Sequence, residues 1–399
     1  MMKPLLLILF SLIAYNVLSQ DQLAGKWAGQ VIYSQAKVPF EMELQKTDQG
    51  FQAIFVNGNE RIIQKDVTVF NDSLNIRLSP FDVELKASWD DSRIQGRWVK
   101  HYRNSKGVEF IAVKNGSRFE TGNKKPASIT KELKISLKSA NGSPYSGLSL
   151  FEQEGEKLEG TIITGTGDLR YFSGIMDGDS LKMSSFDGAH GFLLKGVKKK
   201  GKWSGELVFD NGYNEYWQET EEGFDLKPAF ETIDLEEGKS EPFFDILAAG
   251  DGHQKYQKED FEGKVSIIQL LGSWCPNSLD ETRYLTRWFE ENEDLDVQIM
   301  AVFYEINYSP EYATRRIEDY KKDNNISYQT AIGGRANKGQ AALAFPFMNK
   351  IDAFPTLVIL DKKGHARYVH NYFEGPATGK RYQKFDERFR EIIAELVAE

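Results

Sequence analysis

The sequence predicts a multidomain protein: an N-terminal all-β region built from a duplicated antiparallel unit, barrel or sandwich, followed by a C-terminal α/β domain. Three observations lead there. From Gln22 to about Trp217, short apolar runs such as "FQAIFVNGN", "DSLNIRLS" and "LEGTIITGTG" alternate with glycine, asparagine and aspartate turns, and no long helical period occurs. Within that stretch the pattern repeats at an interval of roughly 100 residues. Beyond residue 240 the texture changes to strand, helix, strand, helix, the order of an α/β domain.

At 399 residues the chain exceeds one ordinary core, so two or three domains are expected. With 40% apolar and 27% charged residues, and no block of like charge, it reads as globular rather than disordered. Residues 1–19 read as a secretory signal: Lys3 supplies a basic start, Leu5 to Ala14 an apolar run, and "VLS" ending at Ser19 a cleavage site. That run is shorter than the roughly 20 apolar residues a membrane span needs. Export is therefore expected, to a periplasm or cell envelope, with no span in the mature chain. Cleavage would remove Lys3 and take the net charge from −9 to −10. Such a balance argues against nucleic-acid binding, which needs an electropositive face.

The repeat is legible residue by residue. Asp72 matches Asp179 at an offset of 107, Asp82 matches Asp187 and Trp98 matches Trp203 at 105, and Arg61 matches Arg170 at 109. Hairpin loops of unequal length produce drifts of this size. The expected layout is β unit 1 over 20–118, a join near 114–131, β unit 2 over 130–220, an acidic linker over 221–240 and the α/β domain over 241–399. Trp27 reads as a core plug. The run "KGVKKKGKW" reads as a solvated hairpin tip, and the glycines of "TGTGDLRYFSG", with no helix after them, as a turn rather than a phosphate loop.

In the C-terminal part, "KVSIIQLL" (Lys264 to Leu271) has the near-continuous apolar character of a strand buried on both faces. A helix should follow at once. Leu279, Leu285, Trp288 and Phe289 share one face of it; Asp280, Glu281 and Glu290 are expected to point out, the first two lying in the first turn at the positive end of the dipole. A second strand covers Val297 to Tyr304, and Ser309 with Pro310 cap and open the next helix. "TLVILDKKGHARYV" reads as two strands joined at a Lys-Lys-Gly turn, and the chain closes with an amphipathic helix bearing Tyr382, Phe385, Phe389, Ile392 and Leu396.

This order places Cys275, the single cysteine, where a central strand passes into a helix. Backbone N–H groups there favour thiolate, and such sites lower a thiol pKa from about 8.5 into the range of roughly 3.5 to 7.5. Pro276 suits the first helical turn because it lacks a donor where donors are in excess, and Trp274 offers an apolar platform. The other reading of Cys275 is a small buried hydrophobe. The histidines, His101, His190, His253, His365 and His370, show no metal-ligand spacing, and His365 and His370 fall on the last hairpin, where solvated histidines are usual. No metal and no cofactor are expected.

The stretch "GKVSIIQLLGSWCPNSLDET" resembles the active-site strand and helix of the TlpA-like thiol–disulfide oxidoreductases, which have a thioredoxin fold, and above all the envelope members with Gly-Ser-Trp-Cys-Pro-Asn-Cys. "IDAFPTLVILDKKG" and "YFEGPATGKRYQKF" resemble two further segments of that subgroup, and the duplicated β region is similar to its N-terminal part. The resemblance implies a thioredoxin-like fold over about 241–399, a reactive Cys275 flanked by Trp274, and a cis Pro355 shaping the substrate groove. It also implies that the backbone of Phe354 faces an extended peptide. Glu305, ending the second strand, is a candidate for moving protons near the thiol; a solvated strand end is the other reading. Implied partners are cysteine-containing exported proteins and an envelope thiol donor.

The departure is Ser278, which stands where the family has its second cysteine. A hydroxyl is a poor nucleophile toward sulfur at neutral pH and cannot resolve a mixed disulfide. Three outcomes follow. A substrate's own second thiol or a small thiol resolves the intermediate, giving a monothiol reductase or isomerase. Or the domain is a redox-inactive module that binds peptides or proteins. Or this copy is an impaired reductase.

Overall fold

The computed structural model describes residues 20–399 apart from 35, 104, 121, 140, 210–211, 222–229, 231–242, 249–252 and 349. The expected signal, and the expected linker except Glu221 and Phe230, lie outside the described residues. Two compact units are present. The first takes in residues up to Ser128 with 153–159 and 171–217; the second takes in 129–152, 160–170 and the chain from Gln218 on.

In the first unit, β1 (Gly25–Ile32), β2 (Lys37–Thr47), β3 (Gly50–Asn57), β4 (Glu60–Gln64), β5 (Val67–Phe70), β6 (Ser73–Leu78), β7 (Val83–Trp89), β8 (Arg93–Lys100) and β9 (Val108–Lys114) form one antiparallel sheet. Its order is β4-β3-β2-β1-β9-β8-β7-β6-β5. The end strands are sequence neighbours, and β3 and β4 approach β5 and β6, so the sheet rolls toward a barrel. Alternation drives this: β6 reads exposed, buried in turn, with Leu74, Ile76 and Leu78 inward. Trp27 is the expected core plug, fully buried with its Nε1–H donated to Leu23 O at 3.0 Å.

The chain continues through β10 (Glu132–Ser139), β11 (Tyr145–Glu154), β12 (Lys157–Thr164), β13 (Gly167–Asp168), β14 (Phe172–Asp177), β15 (Ser180–Phe186), β16 (Gly191–Lys199), β17 (Lys202–Val208) and β18 (Asn214–Glu219). Strands β14 to β17 form a meander, as β5 to β8 do, and the first turn of each has the same chemistry. Asn71-Asp72 joins β5 to β6 and Gly178-Asp179 joins β14 to β15, each with its first residue at positive φ. Trp98 on β8 and Trp203 on β17 are both buried. Lys200-Gly201 is the expected hairpin tip, both residues at positive φ, which matches the twist of the flanking strands. The core gathers Phe40, Phe55, Phe110, Trp98 and Phe186, with Phe40 stacked on Phe186 at 4.7 Å. Arg118, from the expected join, donates to Val56 O, Ser173 Oγ, Asn57 Oδ1 and Ser184, and burial lowers its pKa to about 10. Nothing in its local sequence marks it as a pin.

The second unit holds a seven-stranded sheet: β19 (Phe243–Ala248), β20 (His253–Gln257), β21 (Val265–Leu271), β22 (Val297–Glu305), β23 (Gln329–Arg335), β24 (Thr356–Leu360) and β25 (Ala366–His370), in the order β20-β19-β23-β22-β21-β24-β25. Helix α1 spans Pro276–Glu291, α2 Pro310–Asp323, α3 Lys338–Leu343 and α4 Lys380–Ala398. The central strands β21, β22 and β23 are parallel, and β24 runs antiparallel to β21. Every residue of β21 is buried, as its apolar run requires. The sequence reading did not resolve β23, whose end is broken by Gly333 and Gly334, nor the six-residue α3.

Ser309 caps α2, accepting the Tyr312 N–H at 3.2 Å, with Pro310 at the first position. Ser309→Ala is expected to cost about 1 kcal/mol of stability, and Ser309→Asp to restore it; denaturant unfolding checks both.

Three expectations are overturned here. Asp280 and Glu281 do not occupy the first turn of α1, because the helix starts at Pro276 and they fall in its second. Nor does Glu281 point to water. It is 0% exposed, since α1 is covered on more than one side: β21 lies against it through Gln269, α2 through Tyr320, and the aromatics of α4 against Tyr284 and Trp288. His370 is likewise buried rather than solvated. It sits among Phe230, Tyr372 and Phe385, accepts the Phe230 N–H at Nδ1, and burial lowers its pKa to about 3.

Candidate active site

The site forms where β21 ends. Gly272, Ser273 and Trp274 turn the chain into α1, and each is held. The Ser273 N–H and hydroxyl donate to the two carboxylate oxygens of Glu305, both at 2.9 Å, and Arg316 Nε donates to Ser273 Oγ at 3.1 Å. Trp274 donates Nε1–H to Tyr304 O at 3.0 Å. Its indole folds back so closely that a Cβ on Gly272 would lie 2.3 Å from Nε1, which explains a glycine there. Glu305 is fully buried, so it is not a solvated strand end; two of its bonds fix the turn that carries the cysteine.

Cys275 is the N-cap of α1 and Pro276 its first residue. The residue is 9% exposed and its side chain makes no cap bond; the sulfur lies 3.4 Å from Phe354 O, the geometry of a thiol donating to a carbonyl. That contact suits the protonated form. The Phe354–Pro355 peptide is cis. Phe354 stacks on Tyr304 at 5.1 Å and meets Trp274 edge-on at 6.5 Å, so Trp274, Cys275, Phe354 and Pro355 are gathered at one place. Asn371 holds the loop before Pro355, its Oδ1 accepting the Asp352 N–H at 3.0 Å and the Thr356 hydroxyl at 2.9 Å.

Ser278, one turn into α1, is fully buried, and Gly272 N lies 3.4 Å from its hydroxyl oxygen. Below it is the residue that sequence reasoning placed in water. Glu281 accepts Gln269 Nε2–H at 2.9 Å through Oε2, Gln269 also reaches Ser278 O at 3.5 Å, and Glu281 Oε1 has no partner among the described residues. Burial pushes its carboxyl up to about 8, so at neutral pH it carries its proton, three residues beyond Ser278 on the helix. No local signal separates it from an ordinary helical glutamate. Among the described residues no group of His, Cys, Asp and Glu has the arrangement of a metal site, and no helix is long and apolar enough to cross a membrane.

Cys275 thus opens the helix after a central strand and lies against the loop of a cis-proline that precedes an antiparallel strand. No family model matches the chain. Over 76 residues it is 32% identical to the thiol:disulfide interchange protein DsbE of Pseudomonas aeruginosa; the match takes in 19% of this chain and 38% of that protein, so the chain spans well under half the length of this relative. A thiol:disulfide interchange protein of the thioredoxin family from Chlorobium tepidum aligns with 15% identity and a TM-score of 0.29, covering 43% of this chain and 99% of that one. A secreted thiol-disulfide isomerase from Corynebacterium glutamicum aligns with 15% identity and a TM-score of 0.32, covering 44% and 97%.

Proposed function

We propose that this is an exported protein of the periplasm or cell envelope, of the TlpA-like kind, in which Cys275 exchanges with cysteines of other exported proteins as a monothiol. The observation that carries the reading is the seating of the Cys275 sulfur at the start of α1, 3.4 Å from the carbonyl before cis Pro355; the DsbE-like stretch supports it. In the first step the Cys275 thiolate attacks a substrate disulfide, forming one Cys275–substrate disulfide and releasing one substrate thiolate. The second step needs another thiolate, from the substrate or an envelope thiol donor, to attack that bond and free Cys275. Ser278 does not supply it. In this reading β units over 20–118 and 130–220 precede a linker over 221–240 and the thiol domain.

A second reading, a redox-inactive module that binds peptides or proteins, is favoured by one observation: the thiol is nearly buried and set against an acceptor. Non-reducing electrophoresis of the protein from its own compartment separates the two. The monothiol reading expects covalent adducts that disappear with reductant and in Cys275→Ala. Their absence in the wild type leaves the binding module.

A further inference from the structure

The hairpin of β12 and β13 pairs Ile163 with Asp168 and Thr164 with Gly167, and its end lies in the same compact unit as the seven-stranded sheet. Asp168 is 4% exposed, and its acceptors serve three different segments. Oδ1 takes the Arg170 N–H at 2.8 Å, Oδ2 takes the Gly375 N–H at 2.8 Å, and the main-chain oxygen takes Asn277 Nδ2–H at 3.0 Å. Arg170, held at φ +64°, forms an ion pair with Asp280 on α1. Gly167, at φ +115°, comes so near the helix that a Cβ there would lie 2.4 Å from Asn277 Nδ2. Only a residue without a side chain fits that approach.

We propose that this hairpin is a built-in wall of the thiol site, with Asp168 and Arg170 as positioning residues: Asp168 fixes Asn277 and Gly375, Arg170 fixes Asp280, and together they hold the first turns of α1 behind Cys275. The inference rests on the monothiol reading for its chemical consequence. The N–H groups of a helix's first turn carry its partial positive charge, and a first turn that lacks tertiary partners frays. A hairpin bonded two and five residues beyond the sulfur keeps those groups in place when the thiol ionises. The charged groups around Asp168 are Arg170 on its own hairpin, Asp280 on α1, and Glu374 with Arg381 on the C-terminal segment; Arg381 donates to Glu374 at 2.7 Å. Burial raises the Asp168 carboxyl, while Arg170 and the N–H groups it accepts oppose the rise.

The test uses the full chain and two readouts: the rate of Cys275 alkylation by iodoacetamide against pH, and hydrogen exchange of the amides over 275–282. Asn277→Ala removes the helix's bond to the hairpin's main-chain oxygen, and Asp168→Ala, which keeps that oxygen, removes the carboxylate that holds Gly375 and the Arg170 turn. Each is expected to slow alkylation at neutral pH by about fivefold, the weight of one hydrogen bond, to move the midpoint of the pH profile upward, and to speed exchange. The double variant should go further than either single one, because the two act on different bonds of the same hairpin. Phe40→Leu, which loses core packing in the first unit, should leave the midpoint in place. Native rate, midpoint and exchange in Asn277→Ala overturn the proposal. A wild-type thiol that does not alkylate while folded sinks the monothiol reading instead, and exchange then decides the hairpin's role alone.

Discussion

Ser278→Cys is expected to turn a protein that stalls after one exchange into one that turns over. Cys275 is the N-cap of α1 and residue 278 lies three positions on, the spacing of a Cys-x-x-Cys redox pair. The new thiol would lie in a fully buried position behind Cys275, as a resolving sulfur should. It would attack the Cys275 sulfur of the mixed disulfide, releasing the substrate as thiolate and leaving a 275–278 disulfide; the two electrons pass to the substrate. With dithiothreitol as the electron source, insulin reduction should rise by roughly tenfold or more over wild type, since a hydroxyl contributes nothing to this step. Ser278→Ala should match wild type. An oxidised Ser278→Cys protein that still shows two free thiols, or reduces insulin no faster than Ser278→Ala, would show that Cys275 is not placed for exchange.

Glu281→Gln should change how stability depends on pH. The Glu281 carboxyl releases its proton at about 8 in the folded protein, against 4.5 for its ordinary value, because burial disfavours the charge. Between those values the folded protein keeps a proton that the unfolded chain has lost, so stability falls as pH rises. Each pH unit costs about 1.4 kcal/mol, and the whole interval on the order of 5 kcal/mol, with no further loss above it. His370 acts on the other side: its folded pKa of about 3 lies below the ordinary 6.5, so the stability it lends is present above 6.5 and lost as pH falls toward 3. Between 4.5 and 6.5 the two slopes oppose each other and wild type should show a plateau, falling on either side. In Glu281→Gln the alkaline fall should vanish while the acid fall remains. Melting temperatures from pH 4 to 9 check this, and parallel curves for the two proteins would refute it.

Much of the candidate site was legible in one dimension. "SIIQLL" could only be a buried strand, Pro276 and the apolar spacing behind it could only open a helix, and the proline of "AFPTLVIL" stood ahead of the next strand. The resemblance then supplied the pairing of Cys275 with Pro355, which the structure places together. Glu281 was misread because periodicity describes a helix with one covered face, and α1 has neighbours on several. His370 was misread for a related reason: a hairpin is solvated only if nothing packs on it, and Phe230 and α4 do. Glu305 was noticed as a strand end, but its role in fixing Ser273 needed the fold.

The sequence by itself determined the local elements, the duplicated turn chemistry, the single thiol and the missing second sulfur, because these follow from side-chain alternation, turn residues and covalent composition along a short window. Only the tertiary structure decided that a glutamate would be buried with its proton, that the sulfur would face a carbonyl, and that Asp168 would meet Asn277 across 109 residues of chain. Those outcomes depend on which distant segments exclude water from a given atom, and no window of sequence contains both partners.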